Sequence, residues 1–334
     1  MRHVRQMVQL LVFAGLLLAV PTTTFAQNYD HDEITAKRFD VAKGSLITLD
    51  SDMGSVVVEG GKSGEVVVNI IKGVNNVSRN EAEKLFDRYR ISFDERGRGL
   101  EITGDYDKPR GRLNWRKSLK VHYEIIVPED VEIDLKTSGG SIHAENIAGD
   151  VNLKTSGGSL QLRDLSGSET ARTSGGSIQA RNLGSVADLH TSGGSINIDG
   201  ADGAIDARTS GGSISIADVD GTVDAHTSGG TIRLREIAGA VNAKTSGGSI
   251  EAEILGQPKK DMRLQTSGGS VTIHLDDNVR ADLDAKASGG SVSTDFAVAV
   301  RGTVKKTQLQ GEINGGGPLL TLRTSGGSVK IREN

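Results

Sequence analysis

From residue 137 onward the apolar positions of this chain recur in one fixed arrangement. In the unit TSGGSIHAENIAGDVNLK (137–154), Ile142 and Ala144 alternate with polar neighbours, and so do Val151 and Leu153. Numbering the unit 1 to 18 and laying the next five units beneath it, position 6 is always Ile or Leu and position 8 is Ala, Leu or Ile. Alternation with period two marks a strand with one buried face, so each unit predicts two short strands, around positions 6–8 and 15–17. The inward set is 6, 8, 11, 15 and 17, and eighteen residues leave no room for a helix as well.

The strands are separated by an almost invariant corner. T-S-G-G-S begins at Thr137 and returns at Thr155, Thr173, Thr191, Thr209, Thr227 and Thr245, always after 18 residues. Its glycine pairs are Gly139 and Gly140, Gly157 and Gly158, Gly175 and Gly176, Gly193 and Gly194, Gly211 and Gly212, Gly229 and Gly230, and Gly247 and Gly248. They are read as structural turn residues, in a backbone conformation that side chains with a Cβ resist. Further copies start at Thr266 and Thr324, with a variant at Ala287. A short fixed period means stacked units, each burying its apolar face against its neighbours. The expected fold is all-β: a parallel β-helix, or β-solenoid, of 18-residue coils, right-handed by the crossover rule. Position 17 is Ala in four of the six regular coils, which predicts a narrow core without a ligand cavity.

Upstream, residues 43–60 repeat the frame in degenerate form, with Ile47, Leu49, Val56 and Val58 at the inward positions and Ser51 in place of Thr. Strands are expected at 65–72, around 98–105 and at 119–127. Ser78 and Glu81 have capping-box spacing ahead of Ala82, Leu85, Phe86 and Tyr89, which predicts a short helix near 79–90. Residues 27–135 therefore read as an N-terminal β capping region and 136–334 as the repeat. After Thr245 the period lengthens, and all added residues fall between a coil's first and second strands; the longest addition, which includes 302–318, is read as a cover for the C-terminal end.

Residues 1–26 place Arg2 and Arg5 before an apolar run from Val8 to Val20 and then Thr24-Phe25-Ala26, the pattern of a cleaved secretory signal. The expected address is exported, periplasmic or extracellular, with no integral membrane segment in the mature chain. The sequence has no cysteine and hence no disulfide framework. Cleavage would remove two of 39 Lys and Arg and none of 43 Asp and Glu, giving 37 minus 43, or −6, a balance that argues against nucleic acid as a partner.

Candidate chemistry is sparse. The segment KPRGRLNWRKSLK (108–120) sets Arg110, Arg112, Arg116 and Lys117 around Trp115, the only tryptophan, and is the candidate contact for an anionic polymer; read as a charge run, it is a solvated hairpin loop. Position 18 carries a cationic column, including Lys154, Arg172, His190, Arg208, His226 and Lys244, and position 16 sets Asp188, Asp206 and Asp224 beside it, so the ladder is expected to compensate itself. His190 and His226 lie two coils apart, roughly 9.6 Å, too far to share a zinc ion. Asp206 and Asp224 fall near the spacing of ~5 Å used by retaining glycosidases. Each has a cation two residues along, however, and the column repeats without a singular site. Asp199, Asp202, Asp218 and Asp220 match no calcium motif and are read as polar turn residues. No cofactor motif is present, because T-S-G-G-S leads into strands and not into the helix that a phosphate loop requires.

The T-S-G-G-S units, the preceding VHYEIIVPEDVEIDLKTSGG and the closing GEINGGGPLLTLRTSGGS resemble a bacterial family of β-strand-repeat proteins labelled candidate adhesins. The resemblance spans about residues 40–334 and implies the β-helix fold with no catalytic residues. The expected function is thus a non-enzymatic, adhesin-like solenoid presenting an elongated surface to an anionic polysaccharide or an envelope protein. The alternative is a carbohydrate-active β-helix enzyme.

Overall fold

The computed structural model describes residues 29–62, 64–97, 99–107, 119–300 and 305–334. Within them the chain forms two sheets, of 14 and 15 strands, with one short helix. Each regular repeat lays one strand in the second sheet, turns through T-S-G-G-S, lays one strand in the first sheet and returns. Strands eighteen residues apart pair in parallel: Ile142 lies opposite Leu160 in the first sheet and Val151 opposite Glu169 in the second. Like positions therefore stack in columns along the molecule. The expected inward set is buried; Ile142, Ala144, Ile147, Val151 and Leu153 are each at most 2% exposed.

The T-S-G-G-S corner is a hydrogen-bonded clamp between coils. The buried Thr155 hydroxyl donates to the Gly140 carbonyl of the coil before (2.8 Å) and accepts from the Gly158 N–H of its own coil (3.3 Å). The same pair of bonds recurs at Thr173, Thr191, Thr209, Thr227 and Thr245. The final serine adds a rung, the Ser141 Oγ accepting from the Ser159 N–H at 3.1 Å. The ladder of corner hydroxyls thus runs from hydroxyl to backbone, and it satisfies groups that a buried corner would otherwise strand without water.

The two glycines of the corner have different reasons to be there. Neither has the left-handed backbone that the sequence suggested; in the regular coils no corner glycine has positive φ. A Cβ on Gly194 would lie 2.0 Å from the Gly176 carbonyl oxygen of the coil below, whereas one on Gly193 would have nothing nearer than 3.5 Å. Close stacking of backbone on backbone, and not φ, excludes a side chain at the second glycine. Left-handed residues occur at position 10 instead, where Asn146, Asp164, Asn182, Asp218 and Glu236 have φ between 52° and 59° and Gly200 has 85°. Asn, Asp and Gly tolerate that region best, and their recurrence in one column was the available signal.

The stack is not laid down in sequence order at either end. The N-terminal region comprises β1 (His31–Asp40), β2 (Leu46–Ser51), β3 (Ser55–Gly61), β4 (Glu65–Val74), α1 (Arg79–Phe86), β5 (Tyr89–Arg96), β6 (Gly99–Tyr106) and β7 (Lys120–Pro128). These lead into β8 (Glu132–Thr137) and β9 (Ile142–Ile147). The degenerate coil of β2 and β3 is held between β6 and β7 on one side and β8 and β9 on the other. Strands β1 and β5 were not expected. Both pair antiparallel, to β4 and β6, and close the N-terminal end of the two sheets. The helix is shorter than expected: it stops at Phe86, and Tyr89, placed by its spacing on the helical face, instead begins β5. There its hydroxyl bonds Ser51 Oγ (2.7 Å) and Tyr123 (2.5 Å) in the core.

At the other end, the strands Leu319–Thr324 and Val329–Glu333 intercalate. Leu320 pairs with Met262 on one side and Leu283 on the other, and Val329 with Val271 and Val292. The A-S-G-G-S coil goes to the outside, leaving a slot that the last coil fills. The long addition supplies Gln308–Ile313, antiparallel to Ala281–Ala287, and Val298–Val300 beyond it, so it covers the second sheet's edge.

Two outcomes follow. Gly194→Ala should lower stability by about 1–3 kcal/mol or more while Gly193→Ala leaves it nearly unchanged; equal melting curves for the two would refute the stacking account. Hydrogen exchange should find the amides of 319–324 protected as well as those of 262–266, and a frayed C-terminus would show that intercalation is wrong.

Candidate functional site

The basic loop singled out in the sequence, with Arg110, Arg112, Trp115, Arg116 and Lys117, lies outside the described residues. Its flanks are defined: the chain leaves the second sheet after Tyr106 and rejoins the first at Lys120.

On the outer face of the second sheet, positions 16 and 18 form the expected compensated ladder. In register, Arg172, His190, Arg208 and His226 stack on one another, as do Asp188, Asp206 and Asp224. Stacked like charges would repel, but cations and acids interleave. Arg172 bonds Asp188, His190 Nδ1 lies 3.3 Å from the same carboxylate, Arg208 bridges to Asp206 (2.6 Å), and His226 Nε2 approaches Asp224 at 3.1 Å. Partial burial raises the Asp206 carboxyl above its ordinary range, Arg208 opposes this, and the flanking Asp224 and Asp188 add to it. Asp206 and Asp224 are both engaged by Arg208, the latter at 3.9 Å, so neither stands as the free acid of a glycosidase pair. Among the described residues, no three His, Asp or Glu side chains are placed to hold a metal ion.

The four turn aspartates do not form one group. Asp199 sits on the first sheet's outer face and pairs with Arg181 at 3.4 Å. Asp202, Asp218 and Asp220 line a shallow edge groove with Asp164.

The first sheet's outer face carries a second feature that sequence reading did not single out. Positions 7 and 9 of successive coils line a groove of about 390 Å³ with Gln161, Gln179, Asn197, Arg163, Arg181 and Arg235. Four of the left-handed residues at position 10, Asp164, Asn182, Gly200 and Asp218, line the acidic edge groove and not this one.

One chemically unusual side chain is in the core. Glu169 occupies inward position 15, where neighbouring coils have Val151 and Ala187, and is 1% exposed. Neither carboxyl oxygen has a hydrogen-bond partner in any other described residue. Burial pushes its pKa up to about 8; its own backbone N–H opposes the rise and Asp150 reinforces it. A perturbed carboxyl can mark an active site, but this one is sealed between sheets. The column of apolar residues at position 15 held the signal, since one Glu interrupts it.

The chain is an all-β, two-sheet repeat protein with minimal helix, whose outward groups recur in columns. It belongs to the Toastrack DUF4097 family, whose sequence profile matches residues 44–332. No curated protein matches it. Among solved structures, a candidate adhesin from Bacteroides fragilis is 14% identical with TM-score 0.37, covering 90% of this chain and 97% of that one. Another candidate adhesin, from Parabacteroides merdae, is 12% identical with TM-score 0.43, covering 90% and 96%. A candidate lipid-binding protein from Parabacteroides distasonis is 14% identical with TM-score 0.33, covering 90% and 97%.

Glu169 makes stability pH-dependent with a definite sign. Its native pKa of about 8 lies above the ordinary 4.5, so between these values the folded chain holds a proton that the unfolded chain releases. Stability from this group should be full below about 4.5 and decline as pH rises through about 8. Thermal melts of the parent and Glu169→Gln should diverge over that window, and Glu169→Val should melt higher than the parent at pH 8. Parallel pH profiles for parent and Gln variant would refute the buried-carboxyl account.

Proposed function

We propose that this protein is an exported, non-enzymatic solenoid that presents an elongated surface to an anionic envelope polymer or to an envelope protein. In this reading the two sheets form a closed, right-handed parallel β-helix, with residues 27–135 as its cap and 136–334 as its body. The observation that carries it is the character of the outward groups. They recur coil after coil in register, and the acids that could act as catalysts are held by neighbouring cations. An enzyme concentrates its chemistry at one asymmetric cleft; a recurring column suits a recurring partner. The sequence pattern of residues 1–26 supports export. Arg110, Arg112, Arg116 and Lys117, with Trp115 as a stacking surface, serve as an anionic contact at the N-terminal end.

Charge-driven attachment weakens with salt because exposed charges are screened within ~8 Å at physiological ionic strength. The mature protein should therefore sediment with isolated envelope polymer at low salt and be released at high salt. Replacing Arg110, Arg112, Arg116 and Lys117 with Ser should remove the loop's share of that binding without changing the melting temperature. Release of reducing sugar from a polysaccharide would overturn the non-enzymatic reading.

A further inference from the structure

Five consecutive coils give the first sheet an outer face unlike that of the second. Positions 7 and 9 of the strands Leu160–Leu165, Ile178–Leu183, Ile196–Ala201, Ile214–Val219 and Ile232–Ile237 place Gln161, Gln179, Asn197, Ser215 and Arg233 in one row. Arg163, Arg181, Asp199, Ala217 and Arg235 form the next row. The formal charge of these ten side chains is four Arg minus one Asp, or +3, on a chain whose net charge is −4. At both ends the face turns acidic, with Glu145 before it and Glu251 and Glu253 after it. Asp164 and Asp218, at position 10, belong to the separate edge groove.

Apart from Gln161, whose Oε1 meets His143 Nδ1 at 3.2 Å, these side chains are weakly held. Among the described residues, the amides of Gln179 and Asn197 make no hydrogen bond, and Arg233 and Arg235 form no ion pair. Arg163 and Arg181 are held only by exposed pairs, to Glu145 at 3.3 Å and Asp199 at 3.4 Å. Such pairs are worth little in water, about 0–1 kcal/mol, and can be exchanged for a ligand's carboxylate. The guanidinium fork matches a carboxylate in bidentate fashion, and a primary amide offers both a donor and an acceptor to a hydroxyl. Because the strands are in register, a polar side chain recurs every ~4.8 Å in the position-7 row, while the position-9 row sets Arg163 beside Arg181 and places Arg235 three coils further on. A rigid repeating row of hydroxyl and carboxylate partners calls for a repeating ligand.

We propose that this groove binds a linear acidic polysaccharide, a polyuronate, lying along the stack with its carboxylates on Arg163, Arg181 and Arg235 and its hydroxyls on Gln179 and Asn197. The proposal rests on the reading of the protein as a polymer-binding surface and assigns that surface to the first sheet's face. The test is fluorescence anisotropy with labelled oligogalacturonate, beside neutral dextran of similar length, on the mature chain. Three forms are compared: the parent, the face variant Arg163→Ser/Arg181→Ser/Arg235→Ser, and the loop variant at Arg110, Arg112, Arg116 and Lys117. The expected result is salt-sensitive binding of oligogalacturonate by the parent and the loop variant, and at least a tenfold loss in the face variant with an unchanged melting temperature. A Gln179→Ala/Asn197→Ala variant should lose affinity while keeping the parent's salt dependence. Loss in the loop variant alone would overturn the face assignment and leave the polymer-binding function standing. Equal binding of dextran would overturn the acidic ligand class. No binding of oligogalacturonate by the parent would overturn this inference, and sedimentation with whole envelope polymer would then decide the broader function separately.

Discussion

Everything in this structure depends on how closely one coil's backbone lies on the next. Parallel strands eighteen residues apart share one set of hydrogen bonds, and at the corner the second glycine of each motif presses on the carbonyl of the glycine beneath it, with no room for a Cβ. The threonine clamp works at the same place, joining each corner to its neighbour through a buried hydroxyl. A motif repeated so exactly is therefore a packing requirement. It has the form of a phosphate-binding loop without the chemistry of one, since its N–H groups are spent on the coil stack.

Stacking solves the interior and creates a difficulty at the ends, where parallel strands would leave edges open to other chains. The protein handles both ends in the same way. An early coil, β2 with β3, and a late one, at 319–333, are each gripped between the body on one side and, on the other, a part of the chain that lies between that coil and the body in sequence. Outside them, antiparallel strands finish both sheets at the N-terminal end and the second sheet at the other end. The segment Leu319–Glu333 is consequently an internal part of the stack. Its contacts bridge residues far apart in sequence, which ties the repeat, a mainly local structure, into one cooperative unit at its boundary.

The two outer faces obey the same register and differ in chemistry. Interleaved Arg, His and Asp side chains make the second face electrically quiet. The first face carries arginines and amides held at most by exposed contacts, and Asp164, Asp202, Asp218 and Asp220 are sorted into a neighbouring groove. The core is filled, and the periodicity of the fold shows on both outer faces.

The columns of Ile, Leu, Val and Ala at positions 6, 8, 11, 15 and 17 determined the strands, their inward faces and their stacking, because period-two burial and an eighteen-residue repeat are local facts. So were the compensated ladder at positions 16 and 18 and the capping box at Ser78 and Glu81. What the tertiary structure decided is everything that depends on which coil meets which. Tyr89 kept its burial but left the helix for β5, since spacing alone does not distinguish a helical face from the start of a strand. The order of coils at both ends and the separation of Asp199 from Asp202, Asp218 and Asp220 could not be read from spacing. Each is set by a backbone turn or a long-range pairing, notably the left-handed residue at position 10 that divides one groove from the other. A column pattern states what stacks. It does not state in what sequence the layers close, or which way a side chain faces once the strand has bent.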